Sequence, residues 1–305
     1  MLYGAHLPII GFDDRPWTLE RLRAYVRRAA ALGFRYLTTN DHLVSPRPFL
    51  DSLTSMAAVV ADSGGMTLLP SIALSVVRGP VPLAKALAAL DVLSGGRLIA
   101  GVGPGSSAAD YAAVGLPFEE RWARFDESVQ ALRALLRRGE PSFEGRYYDT
   151  RGMDLAPQPI QNPGPPIWIG AWSSERSLRR TASLADGWLA SAYNTMPRRF
   201  AESWRMMRDL LASAGRDAVD FPNGISTAYC YITDDRTAIS RALSSLAAAL
   251  SRSEAELAER VFIGPADACA ERLAAYADAG AQGIFMWPVA DEEEQLELFM
   301  SRVAL

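Results

Sequence analysis

Cysteine, histidine and lysine are scarce in this 305-residue chain, and the scarcity of the first two argues against particular classes of site. Its two cysteines, Cys230 and Cys269, have no metal-type or redox-type spacing, so we expect two isolated buried thiols. Its two histidines, His6 and His42, are too few for a metal hydrolase, which needs several converging histidine and carboxylate ligands. No catalytic metal is therefore expected. Lys85 is the single lysine, and every other basic residue is an arginine.

The chain also lacks blocks of like charge and long apolar runs. Its 31 basic and 35 acidic residues leave a net charge of −4, which argues against nucleic acid as the main partner. No apolar run approaches the roughly 20 residues that a membrane-spanning helix needs. Residues 1–10 lack the basic and apolar regions of a signal peptide. We therefore expect a soluble cytoplasmic protein with no membrane partner.

Apolar runs of strand length alternate along the chain with segments of helical periodicity. This alternation is typical of right-handed crossovers onto a parallel sheet. Eight such units in about 300 residues predict an α/β protein, a (β/α)8 TIM barrel forming one domain over residues 1–305. An open doubly wound sheet is the alternative, but no early G-x-G-x-x-G supports it. The eight predicted strands cover residues 2–9, 34–39, 66–74, 97–103, 167–171, 187–191, 225–233 and 283–289.

An insertion separates the fourth and fifth predicted strands. It contains a long amphipathic helix that begins near Pro117, followed by short aromatic segments around Gly145 that resemble a small hairpin. The acidic and basic residues at helical spacing in residues 117–127 predict a solvated face of ion pairs.

His42 follows the second predicted strand directly, beside Asp41, and His6 lies near the end of the first. In a barrel of this type the chemistry gathers at the carboxyl ends of the strands, so both histidines are expected at one rim. A neutral imidazole can give or take a proton near pH 7, and an adjacent carboxylate can fix its tautomer. Asp41 could equally turn away and cap the following segment, and each histidine could simply bond to a neighbouring carbonyl.

Small residues follow the fourth and fifth predicted strands. Gly103 and Gly105 allow the backbone to approach a ligand closely, and exposed N–H groups there can bind an anion. Ser173 or Ser174 is expected to cap a helix whose first turn can hold a phosphate, although plain helix capping is the alternative. Trp172 could pack on a ligand at the same rim. Together these strand ends suit a long, flat ligand that carries a phosphate.

Four segments of the chain resemble the luciferase-like flavin-dependent oxidoreductases over nearly the whole length. They are "DHL" after the second strand, "PLAKALAALDVLSGGRLIAGVGPG", "GLPFEERWARFDESVQALRALL" and "PPIWIGAWSSERSLRRTASLADGWL". The resemblance implies a TIM barrel with insertions that binds FMN or the deazaflavin coenzyme F420 at its carboxyl-terminal rim. It also implies a homodimer or a higher oligomer.

The resemblance assigns roles to particular positions. His42, with Asp41 beside it, matches the active-site histidine. His6 is a further candidate at the cofactor because of its expected place at the same rim, not through the resemblance. Ser71–Ile72 falls where members carry a bulge with a non-prolyl cis peptide behind the ring. Gly103, Pro104 and Gly105 match the loop along the cofactor's polyol. The phosphate end matches Gly170, Ala171, Trp172, Ser173 and Ser174.

Three functions are compatible with these residues. The first is transfer of a hydride between F420 and a small organic substrate, with His42 handling the proton. The second is an FMN-dependent monooxygenase that uses O2 and reduced flavin from a partner reductase. The third is a flavin-binding barrel without turnover. F420-dependent sugar-phosphate dehydrogenases carry a glutamate where this chain has Ser106 and Ser107, so a sugar phosphate is not the expected substrate.

Overall fold

The strands form one parallel sheet in the computed structural model, which describes residues 1–12 and 15–304. The strands are short apolar runs that are buried on both faces, as expected for a parallel sheet covered by helices. The strands are β1 Leu2–His6, β2 Tyr36–Thr39, β3 Thr67–Pro70, β4 Ala73–Leu74, β5 Ala100–Gly103, β6 Ile167–Gly170, β7 Gly187–Ser191, β8 Asn223–Ile232, β9 Phe262–Gly264 and β10 Gly283–Pro288.

The helices follow the strands and cover the outside of the sheet. They are α1 Leu19–Ala31, α2 Ser52–Val59, α3 Pro80–Ser94, α4 Ala108–Ala113, α5 Arg121–Leu136, α6 Glu175–Leu184, α7 Pro197–Ser213, α8 Arg236–Leu250, α9 Glu254–Ala258, α10 Ala266–Asp278 and α11 Glu292–Leu298. None of the helices within the described ranges is long and apolar enough to cross a membrane.

The sheet runs in the order β3-β2-β1-β10-β8-β7-β6-β5-β4, and every pairing is parallel. It closes where Leu68 of β3 exchanges backbone hydrogen bonds with Arg97 and Ile99, at 2.8 and 2.9 Å. The predicted (β/α)8 barrel with its insertion between the fourth and fifth barrel strands is therefore confirmed.

One predicted strand is divided in the structure, and one observed strand was not predicted. The third predicted strand is divided into β3 and β4, because the chain bends at Ser71–Ile72, whose peptide bond is cis. The short strand β9 was not predicted. It lies outside the barrel, pairing with the extended end of β8 from Cys230 to Ile232.

The sequence of residues 18–33 predicts a helix that is capped by Thr18 and ends at Gly33. The Thr18 hydroxyl accepts a hydrogen bond from the Arg21 N–H at 3.1 Å, and Gly33 follows the helix at a φ of +86°. Leu19 was expected on the buried face with Leu22, but 54% of it is exposed, whereas Leu22 is buried.

The predicted hairpin of the insertion is reduced to one antiparallel bridge between Glu144 and Asp149. Within the barrel, side chains from opposite strands fill the lower interior, among them Leu69, Trp168 and Phe285. Cys230 and Cys269 are buried free thiols, as expected, and burial raises the pKa of Cys269 to about 11. The packed lower barrel leaves its upper end, at the carboxyl termini of the strands, for a site.

Candidate functional site

A cavity of about 270 Å³ opens at the carboxyl ends of the barrel strands. Every barrel strand from the second to the seventh contributes a residue to its wall, because parallel strands of a closed barrel all end on the same face. One residue from each strand end in that order is Asn40, Ser71, Pro104, Ala171, Ser191 and Thr227.

His42 lines this cavity and is held by a carboxylate from the insertion. Its Nδ1 lies 2.8 Å from Oδ2 of Asp110, whose side chain is almost fully buried. The other oxygen of Asp110 accepts the backbone N–H groups of Leu43 and Val44, each at 2.8 Å. Asp110 therefore fixes both the imidazole and the loop that carries it.

The protonation of this pair follows from its hydrogen bonds. Burial opposes the charge of Asp110, but the bonds from His42 and from the Val44 and Leu43 N–H groups outweigh it and lower the pKa of Asp110. An ionised carboxylate can only accept, so Nδ1 of His42 carries the hydrogen. Nε2 of a neutral imidazole is then left as the acceptor, the tautomer a proton carrier requires.

Asp41 turns away from the imidazole of His42, but instead of capping the segment that follows it, as one alternative from the sequence had it, it bonds to Arg78 and Leu74. Its oxygens accept hydrogen bonds from Nε and Nη2 of Arg78 at 2.6 and 2.7 Å. Oδ2 also accepts a hydrogen bond from the Leu74 N–H at 3.1 Å. The Asp41 side chain is fully buried and Arg78 is mostly buried. This ion pair fastens the end of the second barrel strand to the bent segment between β3 and α3.

Ile72 forms part of the cavity wall and occupies the space that two glycines leave. A Cβ on Gly103 would lie 2.4 Å from Cδ1 of Ile72, and one on Gly170 would lie 2.7 Å from its Cγ2. Gly103 was expected to let the backbone approach a ligand closely. Its missing side chain instead leaves room for Ile72, and Gly103 does not line the cavity. Pro104, Gly105 and Gly170 do line it.

Residues 170–174, at the end of β6 and directly after it, differ in whether they line the cavity. Gly170, Ala171 and Trp172 line the cavity, and 56% of Trp172 is exposed. Ser173 and Ser174 do not line it. The Ser174 hydroxyl caps α6 by accepting the Ser177 N–H at 3.3 Å, and the Ser173 hydroxyl bonds to Thr195. Plain helix capping, the alternative raised from the sequence, describes Ser174, whereas Ser173 does not cap the helix.

His6 lies beside the second barrel strand, paired in register with Thr38, but is buried beneath the site and does not line the cavity. Its ring stacks on Trp287 with centroids 3.6 Å apart. Neither ring nitrogen has a hydrogen-bond partner of ordinary geometry in the part of the chain that is described. Burial lowers the pKa of His6 to about 3 against a small opposing effect of the Leu7 backbone, so its imidazole is neutral at pH 7.

Several residues of the site were not found from the sequence, most notably Asp110 and Arg121. Asp110 stands three residues after Ser107, which caps α4, so its only local signal was that of an ordinary first-turn acid. Arg121 belongs to the segment predicted as a solvated ion-pair face. That prediction is right for Glu120 and Arg124, which lie 2.6 Å apart, but Arg121 lines the cavity.

Comparison with known proteins yields an uncharacterised relative, a reductase and a flavin-dependent monooxygenase. An uncharacterised protein of Mycobacterium tuberculosis is 33% identical over 172 residues, which cover 56% of this chain and 59% of that protein. A 5,10-methylenetetrahydromethanopterin reductase of Methanopyrus kandleri is 28% identical over 241 residues, covering 74% and 66%. An FMNH2-dependent dimethylsulfone monooxygenase of Pseudomonas putida is 27% identical over 194 residues, covering 59% and 50%. The matches thus span about half to two thirds of the length of these relatives.

Solved structures share the fold over almost the entire chain. Monooxygenase RslO1 of Streptomyces bottropensis has a TM-score of 0.82 at 24% identity, covering 99% of this chain and 98% of its own. A coenzyme F420-dependent tetrahydromethanopterin reductase of Methanopyrus kandleri has a TM-score of 0.80 at 21% identity, with the same coverage. The family model described as luciferase-like monooxygenase matches residues 11–261, and the chain therefore belongs to the luciferase-like monooxygenase family.

Proposed function

We propose that this protein is an F420-dependent oxidoreductase that passes a hydride between the deazaflavin and a small organic substrate. The observation that carries the proposal is the cavity-lining imidazole of His42 with its Nδ1 hydrogen held by buried Asp110. Hydride transfer to or from a carbon–oxygen bond must be accompanied by movement of a proton, and this pair is built to hold or release one. The reductase of Methanopyrus kandleri supports the choice as a relative.

The cavity offers suitable partners for a flat polar ring. Oδ1 of Asn40 and the Ser71 hydroxyl are buried without a hydrogen-bond partner in the described ranges, and both residues line the cavity. Buried polar atoms are rarely left unpaired in a native structure, so these atoms suit a ligand's donors and acceptors. Ile72 and Leu189 supply apolar wall for the ring faces. The coenzyme, when bound, supplies the carbon that accepts or donates the hydride.

The remaining work falls to the chain's own residues. His42 takes or gives the proton at Nε2, while Asp110 keeps its ring in the required orientation. The ion pair between Asp41 and Arg78 holds the adjacent wall without leaving a free charge in the cavity. The stiffness of this wall keeps substrate and imidazole within reach of each other, as general acid–base catalysis requires.

The second candidate is an FMN-dependent monooxygenase, which would need reduced flavin from a reductase partner. The Pseudomonas putida monooxygenase favours it as a relative of similar identity. Binding separates the two candidates. The purified protein is titrated with F420 and with FMN, each followed by quenching of the ligand's fluorescence. Binding of F420 supports the first proposal, binding of FMN alone replaces it with the second, and binding of neither contradicts both.

The role of His42 has its own test. His42→Ala is expected to leave the cofactor dissociation constant within about twofold and to lower turnover by roughly 10²- to 10⁴-fold, the usual contribution of a positioned proton carrier. Unchanged turnover would show that the proton moves elsewhere. Binding of the cofactor by the wild type with no turnover of any substrate tested would favour the third candidate, a flavin-binding barrel without turnover.

A further inference from the structure

Arg121 presents a cation to the cavity from the start of α5. Its guanidinium carbon lies 4.0 Å from the ring centroid of Phe118 and 5.7 Å from that of Trp122, and both aromatic residues also line the cavity. Nη1 donates to the Phe118 carbonyl at 3.0 Å. The guanidinium is thus held in place by two rings and one hydrogen bond.

The charge of Arg121 is not balanced by a carboxylate in the described ranges of the chain. Neighbouring arginines are balanced: Arg124 lies 2.6 Å from Glu120, and Arg180 pairs with Asp126. A guanidinium has five N–H donors, and the contact with Phe118 occupies one of them. Arg121 therefore has N–H donors available for a ligand as well as a positive charge that no carboxylate of the described ranges balances.

The position of Arg121 at a helix N-terminus further favours binding of an anion beside it. The dipole of the 16-residue helix α5 disfavours a cation in its first turn and favours an anion there. Asp41 and His42 are the other acidic or basic residues of the described cavity wall, and each already has its partner in Arg78 or Asp110. The one uncompensated formal charge that the described wall presents to a ligand is positive.

We propose that Arg121 binds an oxyanion of the ligand, either the phosphate of the cofactor or an acidic group of the substrate. A planar guanidinium already fixed against aromatic rings can bond two oxygens of a phosphate or carboxylate at little cost in side-chain entropy. The inference rests on the proposed function for its ligand but concerns a residue that the hydride and proton steps do not use. Arg121 would thereby select ligands with an acidic group.

Pairs of ligands that differ by one acidic group test the proposal. FMN is compared with riboflavin, and F420 with its chromophore lacking the phosphate-linked tail, on the wild type, Arg121→Gln and Arg121→Lys. Arg124→Gln, on the same helix but outside the cavity wall, is the matched control. If the cofactor phosphate is bound, R121Q reduces the preference for the acidic ligand by about 10- to 100-fold, the worth of a charge-assisted bond. R121K reduces it less, and R124Q leaves it unchanged.

A second arm identifies a substrate oxyanion. Binding of 4-hydroxybenzoate and of 4-hydroxybenzamide to the cofactor-loaded protein is compared in the same variants. Loss of the preference for the acid in R121Q, with cofactor affinity unchanged, assigns the oxyanion to the substrate. If R121Q changes neither preference, the proposal is overturned.

A third arm separates this failure from failure of the proposed function. Phenyl phosphate and phenol are titrated into the cofactor-free protein by following tryptophan fluorescence. If the wild type binds no flavin or deazaflavin, the proposed function falls. Arg121-dependent preference for phenyl phosphate would still support an oxyanion site, and its absence would overturn that too.

Discussion

Acidification should destabilise the protein through His6. The imidazole is buried against Trp287, and its pKa is about 3 in the folded state, compared with an ordinary value of 6.5. Between these two values the unfolded chain binds one more proton than the folded protein does. The free energy of unfolding must therefore fall as the pH falls below 6.5, and the decrease ends only near pH 3.

The magnitude at pH 5 depends little on the folded-state value, because that value lies well below 5. Each pH unit below 6.5 costs about 1.4 kcal/mol, so the 1.5 units to pH 5 cost about 2 kcal/mol. For a protein of ordinary stability, about 5–15 kcal/mol, this is a measurable part of the total.

Equilibrium urea unfolding at pH 7.5 and pH 5.0 measures this effect, with His6→Gln as the non-titrating variant. All other titratable groups are the same in the two proteins, so the difference between their pH responses isolates His6. We expect the wild type to lose about 2 kcal/mol more than H6Q over this range. An equal loss in the two proteins would show that folded His6 accepts a proton readily. Its burial would then not govern its charge.

Three further changes test the rest of the site. Asp110→Asn should leave cofactor affinity nearly unchanged but lower kcat by about 10²-fold or more, because an amide fixes the tautomer of the imidazole poorly. The pH–rate profile of the variant checks whether the tautomer of His42 is affected. Arg78→Gln leaves the buried carboxylate of Asp41 unpaired and should cost roughly 3–5 kcal/mol in urea unfolding; a cost below 1 kcal/mol would mean that water reaches this pair. Gly103→Ala should cost about 1–3 kcal/mol by displacing Cδ1 of Ile72, and adding Ile72→Val, which removes that atom, should recover part of the loss. Additive effects of the last two substitutions would contradict the contact.

The chain's barrel was predictable because its signals are local. Strand-length apolar runs, helical periodicity, the Thr18 cap and the Gly33 stop can each be read within a few residues. Strand β9 was missed because it is three residues long and pairs outside the barrel. The break between β3 and β4 was anticipated only through resemblance, since nothing in the composition of residues 66–74 marks it.

The sequence by itself determined that eight parallel strands close into a barrel and that His42 stands at the rim formed by the carboxyl ends of the strands, because periodicity and strand ends are properties of neighbouring residues. Only the tertiary structure decided which carboxylate serves His42. Adjacent side chains on an extended segment point in different directions, so Asp41 turns to Arg78, whereas Asp110, 68 residues away, is brought to the imidazole by the packing of the insertion. Contacts between distant segments likewise place Gly103 against Ile72 and Arg121 at the cavity. Such partners are chosen by contacts between distant segments, which no local pattern records.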